Sequence, residues 1–171
     1  VLSVLAQSFG IACIASIVWI VCGYSIAFNG DGEYFGNLDK LFLNGVSLDS
    51  LSGDIPETLF VMFQMTFAII TPALIVGAYV ERIKFISVMM ITILWLIIVY
   101  APVTHWIWGG GWLANMGVLD FAGGLVVHTT AGVSALVIVY YLGSRIGFPN
   151  QVQPPHSPVL ATVSYTHLRA H

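Results

Sequence analysis

The sequence predicts an all-α integral membrane protein crossed by four complete helices, and three observations predict it. Of its 171 residues, 58% are hydrophobic and only 8% charged, where a soluble domain carries about 25% charged residues. The mean hydropathy is +0.92. The apolar residues gather into four stretches, each long enough to supply the roughly 20 residues a spanning helix needs. Between those stretches sit most of the charged and turn-forming residues.

The same composition sets aside other classes. A net charge of -3, with no basic stripe and no Gly-Lys-Ser/Thr cradle for phosphate, argues against a nucleic-acid partner. Cys13 and Cys22 lie in one apolar segment without metal or redox spacing, so they read as buried thiols packing like small hydrophobes.

The first span is expected over about 5–28, within a stretch, Val1 to Gly30, that has no charged side chain. It lacks the basic flank and short apolar core of a signal peptide. Position 1 is not Met, and the natural start is expected upstream. Asn29 to Glu57 then breaks the pattern with Asn29-Gly30-Asp31-Gly32, Gly36-Asn37, Asn44-Gly45 and Ser52-Gly53, which are turn signals. This loop sets Asp31, Glu33, Asp39, Asp49, Asp54 and Glu57 against a single base, Lys40. It reads as a solvated loop, with an acidic lure for cations as the sharper alternative.

The second span is expected over about 58–80. On its helical wheel Phe63, Phe67, Ile70 and Leu74 share one face, the ordinary pattern of a packing stripe. Pro72 weakens the backbone ladder, and Thr71 or neighbouring helices can satisfy the freed groups. After the charged turn Glu81-Arg82-Ile83-Lys84, a third span is expected over about 85–108. Trp106, Trp108 and Trp112 surround Gly109-Gly110-Gly111, and an interfacial aromatic belt is the default reading. His105 at this boundary can reach headgroups or water.

The fourth span is expected over about 121–144, with Asp120 in the capping position before it. Counting along a regular helix, Gly124, His128, Gly132 and Ala135 share one face. Small residues there let another helix approach, and an ionisable group inside a span faces a bundle interior or an aqueous path. His128 is therefore the strongest single functional candidate. A fifth span begins at about 157.

Arg82, Lys84 and Arg145 fall on one side of this alternating path, which the positive-inside rule makes cytoplasmic. The Asn29–Glu57 loop then lies outside, with Phe63, Phe67 and Trp108 near the outer mouth. His128 sits about two helical turns deeper than Asp120. Aromatic faces at such a mouth attract a small cation at about 0.5–2 kcal/mol per contact, and a neutral imidazole further in exchanges protons near physiological pH. The pattern suits a solute that arrives charged and crosses as a neutral molecule.

The ordered run Asp120-Phe-Ala-Gly-Gly-x-x-Val-x-x-x-Ala131-Gly132-x-x-Ala135-Leu136, ending Gly143-x-Arg145, resembles the signature of the ammonium transporter family, Amt type, related to Mep and Rh proteins. Supporting matches are Phe63-Gln-Met-Thr-Phe67-Ala, Gly77-Ala-x-x-Glu81-Arg82, Trp108-Gly-Gly-Gly111, Gly147-Phe-Pro and Pro154-Pro-His156. The resemblance covers nearly everything from Leu5 to Val163 and implies a homotrimer of eleven-helix subunits built from two inverted halves. This chain resembles helices two to five.

By the same match, Phe63 and Trp108 would help form an outer ammonium-recruitment site, and Phe67 would be one of two stacked gates. His128 would be the first of two pore histidines, and Asp120 the carboxylate that supports the site. Ile70 and Leu74 are pore-lining candidates from the wheel alone. Ammonia would be conducted with separate proton handling. The resemblance implies no enzyme activity and no cofactor; the lipid bilayer and a cytoplasmic regulatory protein are the further partners it implies. Helix one, the second gate, the second histidine and the second half are absent from this sequence, so the chain alone is not expected to transport. Ser164 to His171 departs from both an apolar span and the family, and is expected to be a non-native tail. An ammonium sensor on the same fold and a haem-binding membrane protein using His105 and His128 are the alternatives.

Overall fold

The computed structural model of the protein describes residues 2–145, 147–151 and 157–169, with side chains through residue 163. The Pro154-Pro-His156 motif and the side chains of the 164–171 tail lie outside the described residues. Four stretches among the described residues are long and apolar enough to cross a membrane: Leu2–Phe28, Glu57–Tyr79, Phe85–Asn115 and Gly124–Leu142.

Helix α1 is Leu2–Phe28 and contains a π segment at Trp19–Gly23. It ends where Asn29 turns to extended backbone. The loop that follows holds a short 3-10 turn at Leu41–Leu43 and a two-stranded hairpin, β1 (Leu51–Ser52) with β2 (Ile55–Pro56), paired antiparallel. Helix α2, Glu57–Tyr79, runs unbroken through Pro72, and Thr71 Oγ1 donates to the Phe67 carbonyl at 2.6 Å. Helix α3 joins Phe85–Trp95, a π segment Leu96–Tyr100 and Ala101–Ile107. After the glycine turn comes the single-turn α4, Trp112–Asn115. Helix α5, Gly124–Leu142, opens as a π segment over Gly124–Thr129 and stops at Gly143, whose φ of 70° lies in the left-handed region that favours glycine. Helix α6 is Pro158–Arg169.

Two apolar clusters hold the bundle. The one near the long loop joins Trp19, Tyr24, Ala27, Val61, Tyr100, Ile107 and Val126 from four helices. The other, toward the opposite end, joins Ile11, Ile75, Tyr79, Val88 and Ala131. Polar bonds between helices index the packing: Trp19 Nε1 donates to the Val61 carbonyl at 3.2 Å, and Trp95 Nε1 to Ser134 Oγ at 2.8 Å. At the far end two arginines reach across reciprocally. Arg82, after α2, donates to the carbonyls of Gly143 and Ala78, while Arg145, after α5, donates to Gly77 at 3.0 Å. Both basic turns therefore occupy the same end of the bundle.

Three expectations change. Cys13 is exposed on the surface of the chain, and only Cys22 is partly covered. On α5 the face packed into the bundle runs through Val127, Ala131, Ala135 and Ile138, so Ala135 lies on the packed side as expected, while Gly132 is open, with nothing within 4 Å of a Cβ placed there. The cause is the π segment, whose wider turn rotates every later residue relative to a regular helix. Helix α5 also starts at Gly124, after a turn at residues 121–123, rather than directly behind its capping aspartate.

Candidate functional site

The site is built outward from Asp120. The first amides of a helix have no partner inside it, and here the Asp120 carboxylate accepts three of them. Gly124 N donates to Oδ1 at 2.7 Å, and Leu125 N and Val126 N donate to Oδ2 at 2.9 Å each. This reach is possible because Gly123, with φ 75°, folds the preceding turn back under the helix. The Asp120 backbone carbonyl meanwhile accepts the indole N–H of Trp108 at 2.7 Å. One residue thus fixes both the start of α5 and the ring at the end of α3.

The aromatic side chains follow from that anchor. Trp108 meets Phe67 edge-on with ring centroids 5.6 Å apart, and Phe67 meets Phe63 the same way at 5.1 Å. Edge-to-face geometry leaves π faces free while holding the rings together. Phe63 is 54% exposed, and below it Ile70 and Leu74 continue an open apolar face along α2, 44% and 40% exposed. The structure therefore gathers Phe63, Phe67, Trp108 and Asp120 into one contiguous group. No hydrogen bond among the described residues joins the His128 side chain to this group: the residue is half-buried in the π segment, and its amide bonds to Gly123 O at 3.0 Å.

The three tryptophans are half-buried and bonded to or packed on the protein by their polar edges or rings. Trp106 Nε1 donates to the Tyr34 carbonyl at 2.8 Å, Trp112 packs against Trp106 with centroids 6.0 Å apart, and Trp108 is bound to Asp120. Their polar edges are directed into the protein, where loop carbonyls satisfy two of the three.

Two further groups near this end escaped the sequence reading. His105 is fully buried, not at a water boundary, and its Nδ1 and Nε2 lie 3.0 and 2.6 Å from the carbonyl oxygens of Ala27 and Gly32. With both nitrogens facing carbonyls, it is not arranged as a haem ligand. A histidine beside three glycines was the available signal, since glycine marks close backbone approach. The second group is Glu57, buried at the start of α2, whose carboxylate pairs with Lys40 and accepts from Tyr24 Oη at 2.8 Å. The other loop acids, Asp31, Glu33, Asp39, Asp49 and Asp54, are exposed. The single base in the acidic loop was its signal.

Most of the chain has counterparts among known proteins. The family model described as Ammonium Transporter Family matches residues 1–165. An ammonium transporter of Bacillus subtilis is 48% identical over 147 residues, covering 85% of this chain and 36% of that protein. Ammonium transporter Amt1 of Archaeoglobus fulgidus is 42% identical over 162 residues, covering 94% of this chain and 40% of that protein. Among solved structures, Candida albicans Mep2 superposes with a TM-score of 0.80 at 34% identity, over 92% of this chain and 36% of that one. Saccharomyces cerevisiae Mep2 gives 0.74 at 37% identity, over 84% and 32%. The chain thus spans well under half the length of the relatives it matches. Those relatives are transporters, not enzymes, and their fold is the all-α membrane architecture seen here. By its sequence across residues 1–165 and by the superposition of its helices, the chain belongs to the ammonium transporter family.

Proposed function

We propose that the protein containing this chain moves ammonium across a cell membrane, and that this chain supplies the outer recruitment site and the first part of the pore. The observation that carries the reading is the Phe63–Phe67–Trp108 cluster, held on Asp120 at the end of an open apolar face.

In this reading the Asn29–Glu57 loop is extracellular, and its exposed acids raise the local concentration of cations. Ammonium is stripped of part of its water between the faces of Phe63 and Trp108, where each cation–π contact contributes about 0.5–2 kcal/mol. Phe67, behind them, is a gate that admits the solute only when its ring moves. Beyond the gate Ile70 and Leu74 offer no compensation for charge, so a bare ammonium ion is disfavoured and neutral ammonia passes. The proton is handled at His128, whose imidazole can take or give one, together with a partner histidine from the rest of the protein. Asp120 acts indirectly, by holding Trp108 and the first turn of α5. Arg82, Lys84 and Arg145 face the cytoplasm, where a regulatory protein can dock, and the complete protein assembles as a homotrimer in the bilayer.

The test is ammonium-evoked current in proteoliposomes containing the full-length protein. Trp108→Leu is expected to weaken discrimination and raise the half-saturating ammonium concentration, and His128→Ala to change current or the charge moved per solute. Currents unchanged by both substitutions would remove the site assignment.

A further inference from the structure

We infer that His105 is a positioning residue for ammonium recruitment: it latches the loop after α1 onto the Gly109–Gly111 turn and so sets where Trp108 stands. The inference rests on the recruitment role proposed above for Trp108.

The ring of His105 reaches both the end of α1 and the loop beyond it by its two side-chain nitrogens. Its Nδ1 faces Ala27 O at 3.0 Å and its Nε2 faces Gly32 O at 2.6 Å, with the whole residue buried. A neutral imidazole donates to one of these carbonyls at a time, and an imidazolium to both. No other side chain of this size presents two nitrogens on opposite edges of a rigid ring. The backbone of the same residue completes the turn: His105 O accepts from Gly109 N at 3.1 Å and from Gly111 N at 2.9 Å. Trp108 N is bonded one residue earlier, to Thr104 O at 2.8 Å. Side chain and main chain of His105 therefore tie one loop and one turn to a single point.

The two segments it joins touch along a seam with no slack. Trp112 N donates to Glu33 O at 3.0 Å, and Trp106 Nε1 to Tyr34 O at 2.8 Å. A Cβ at Gly109 would stand 2.1 Å from Ala27 O and 2.7 Å from His105 Nδ1, and one at Gly111 would stand 2.9 Å from Glu33 O. Trp108 lies between this seam and its bond to Asp120. A shift of the turn moves the indole relative to Phe63 and Phe67, and cation–π attraction depends on where the ring face lies.

The experiment uses the full-length protein in proteoliposomes, with ammonium current measured across concentration and the Trp108 indole N–H followed by NMR after 15N-tryptophan labelling. His105→Ala is expected to raise the half-saturating ammonium concentration by about two- to thirtyfold, the loss that one cation–π contact represents. The maximal current per folded protein should stay within about twofold, since the conduction path is untouched. The Trp108 indole signal, identified by its disappearance in Trp108→Leu, should shift. His105→Gln, which keeps a donor, should recover part of both effects, and Gly109→Ala should reproduce them by pushing the turn off Ala27. If Trp108→Leu raises half-saturation while His105→Ala and Gly109→Ala leave both half-saturation and the indole signal unchanged, the latch is wrong. If Trp108→Leu itself leaves half-saturation unchanged, the recruitment reading fails and takes this inference with it, whatever the indole does. Should His105→Ala not reach the membrane, His105→Gln and Gly109→Ala decide the matter by the same two readouts.

Discussion

Asp120 illustrates how much one side chain can organise when its neighbours are backbone amides. It satisfies three donors that lipid or a dry bundle could not. Asp120→Ala should lower stability in detergent by about 2 kcal/mol, at the upper end for a lost helix cap, with Asp120→Asn recovering part; thermal unfolding followed by circular dichroism reads it. Lys40 has the same character for a different reason. Its removal leaves the Glu57 carboxylate with Tyr24 and Ser50 as its side-chain partners, and because Lys40 is itself partly exposed, Lys40→Ala should cost about 1–2 kcal/mol. Lys40→Ala with Glu57→Gln should restore much of that in the same assay. The capping role of Asp120 was legible because an aspartate before an apolar run has few other reasons to be there. The burial of His105 was not, because its partners, Ala27 O and Gly32 O, are main-chain atoms that every residue carries.

Between elements, the reciprocal arginines are the clearest device. Each guanidinium satisfies carbonyls that the end of a helix leaves open, and places positive charge where the helix dipole is negative. Arg82→Ala and Arg145→Ala should each destabilise by about 1 kcal/mol, and a double-mutant cycle should show coupling above about 0.5 kcal/mol because both contacts close the same α2–α5 pair. The close packing of α5 on α2 gives a second expectation. Ala131→Leu should destabilise by about 1–3 kcal/mol through overpacking, whereas Gly132→Ala, in open space, should be neutral or slightly stabilising in the same unfolding measurement. These two outcomes invert the order that regular helical spacing assigns to the pair. Apolar length made the helices themselves readable, but the π segments at Trp19–Gly23, Leu96–Tyr100 and Gly124–Thr129 were not. A wide turn is a choice among backbone bonds and leaves no periodic mark in residue type.

At the scale of the molecule, large apolar side chains remain on the outside: Phe9, Ile86, Ile98 and Leu136 are each more than half exposed. A surface of that kind belongs in hydrocarbon, so the expressed chain should stay in the membrane fraction through an alkaline carbonate wash; release into the supernatant would contradict the membrane reading. The fold class was legible because lipid imposes length and composition directly on the sequence. The aromatic site was legible in part. A wheel placed Phe63 and Phe67 on one face, but bringing Trp108 to them required the turn at Gly109–Gly111 and the anchor at Asp120, which join three segments distant in sequence.

The two arginine contacts also order events during biosynthesis. Arg82 meets its carbonyl on Gly143 across 61 residues, and Arg145 meets Gly77 across 68. When α2 has left the ribosome, the Gly77 carbonyl near its end still lacks its Arg145 partner, and it stays so while α3 and α5 are translated. The contacts between the ends of α2 and α5 therefore form only after the α5 terminus has been made. A nascent chain arrested before Gly143 lacks the carbonyl that Arg82 reaches across to, and so cannot close the α2–α5 pair at this end.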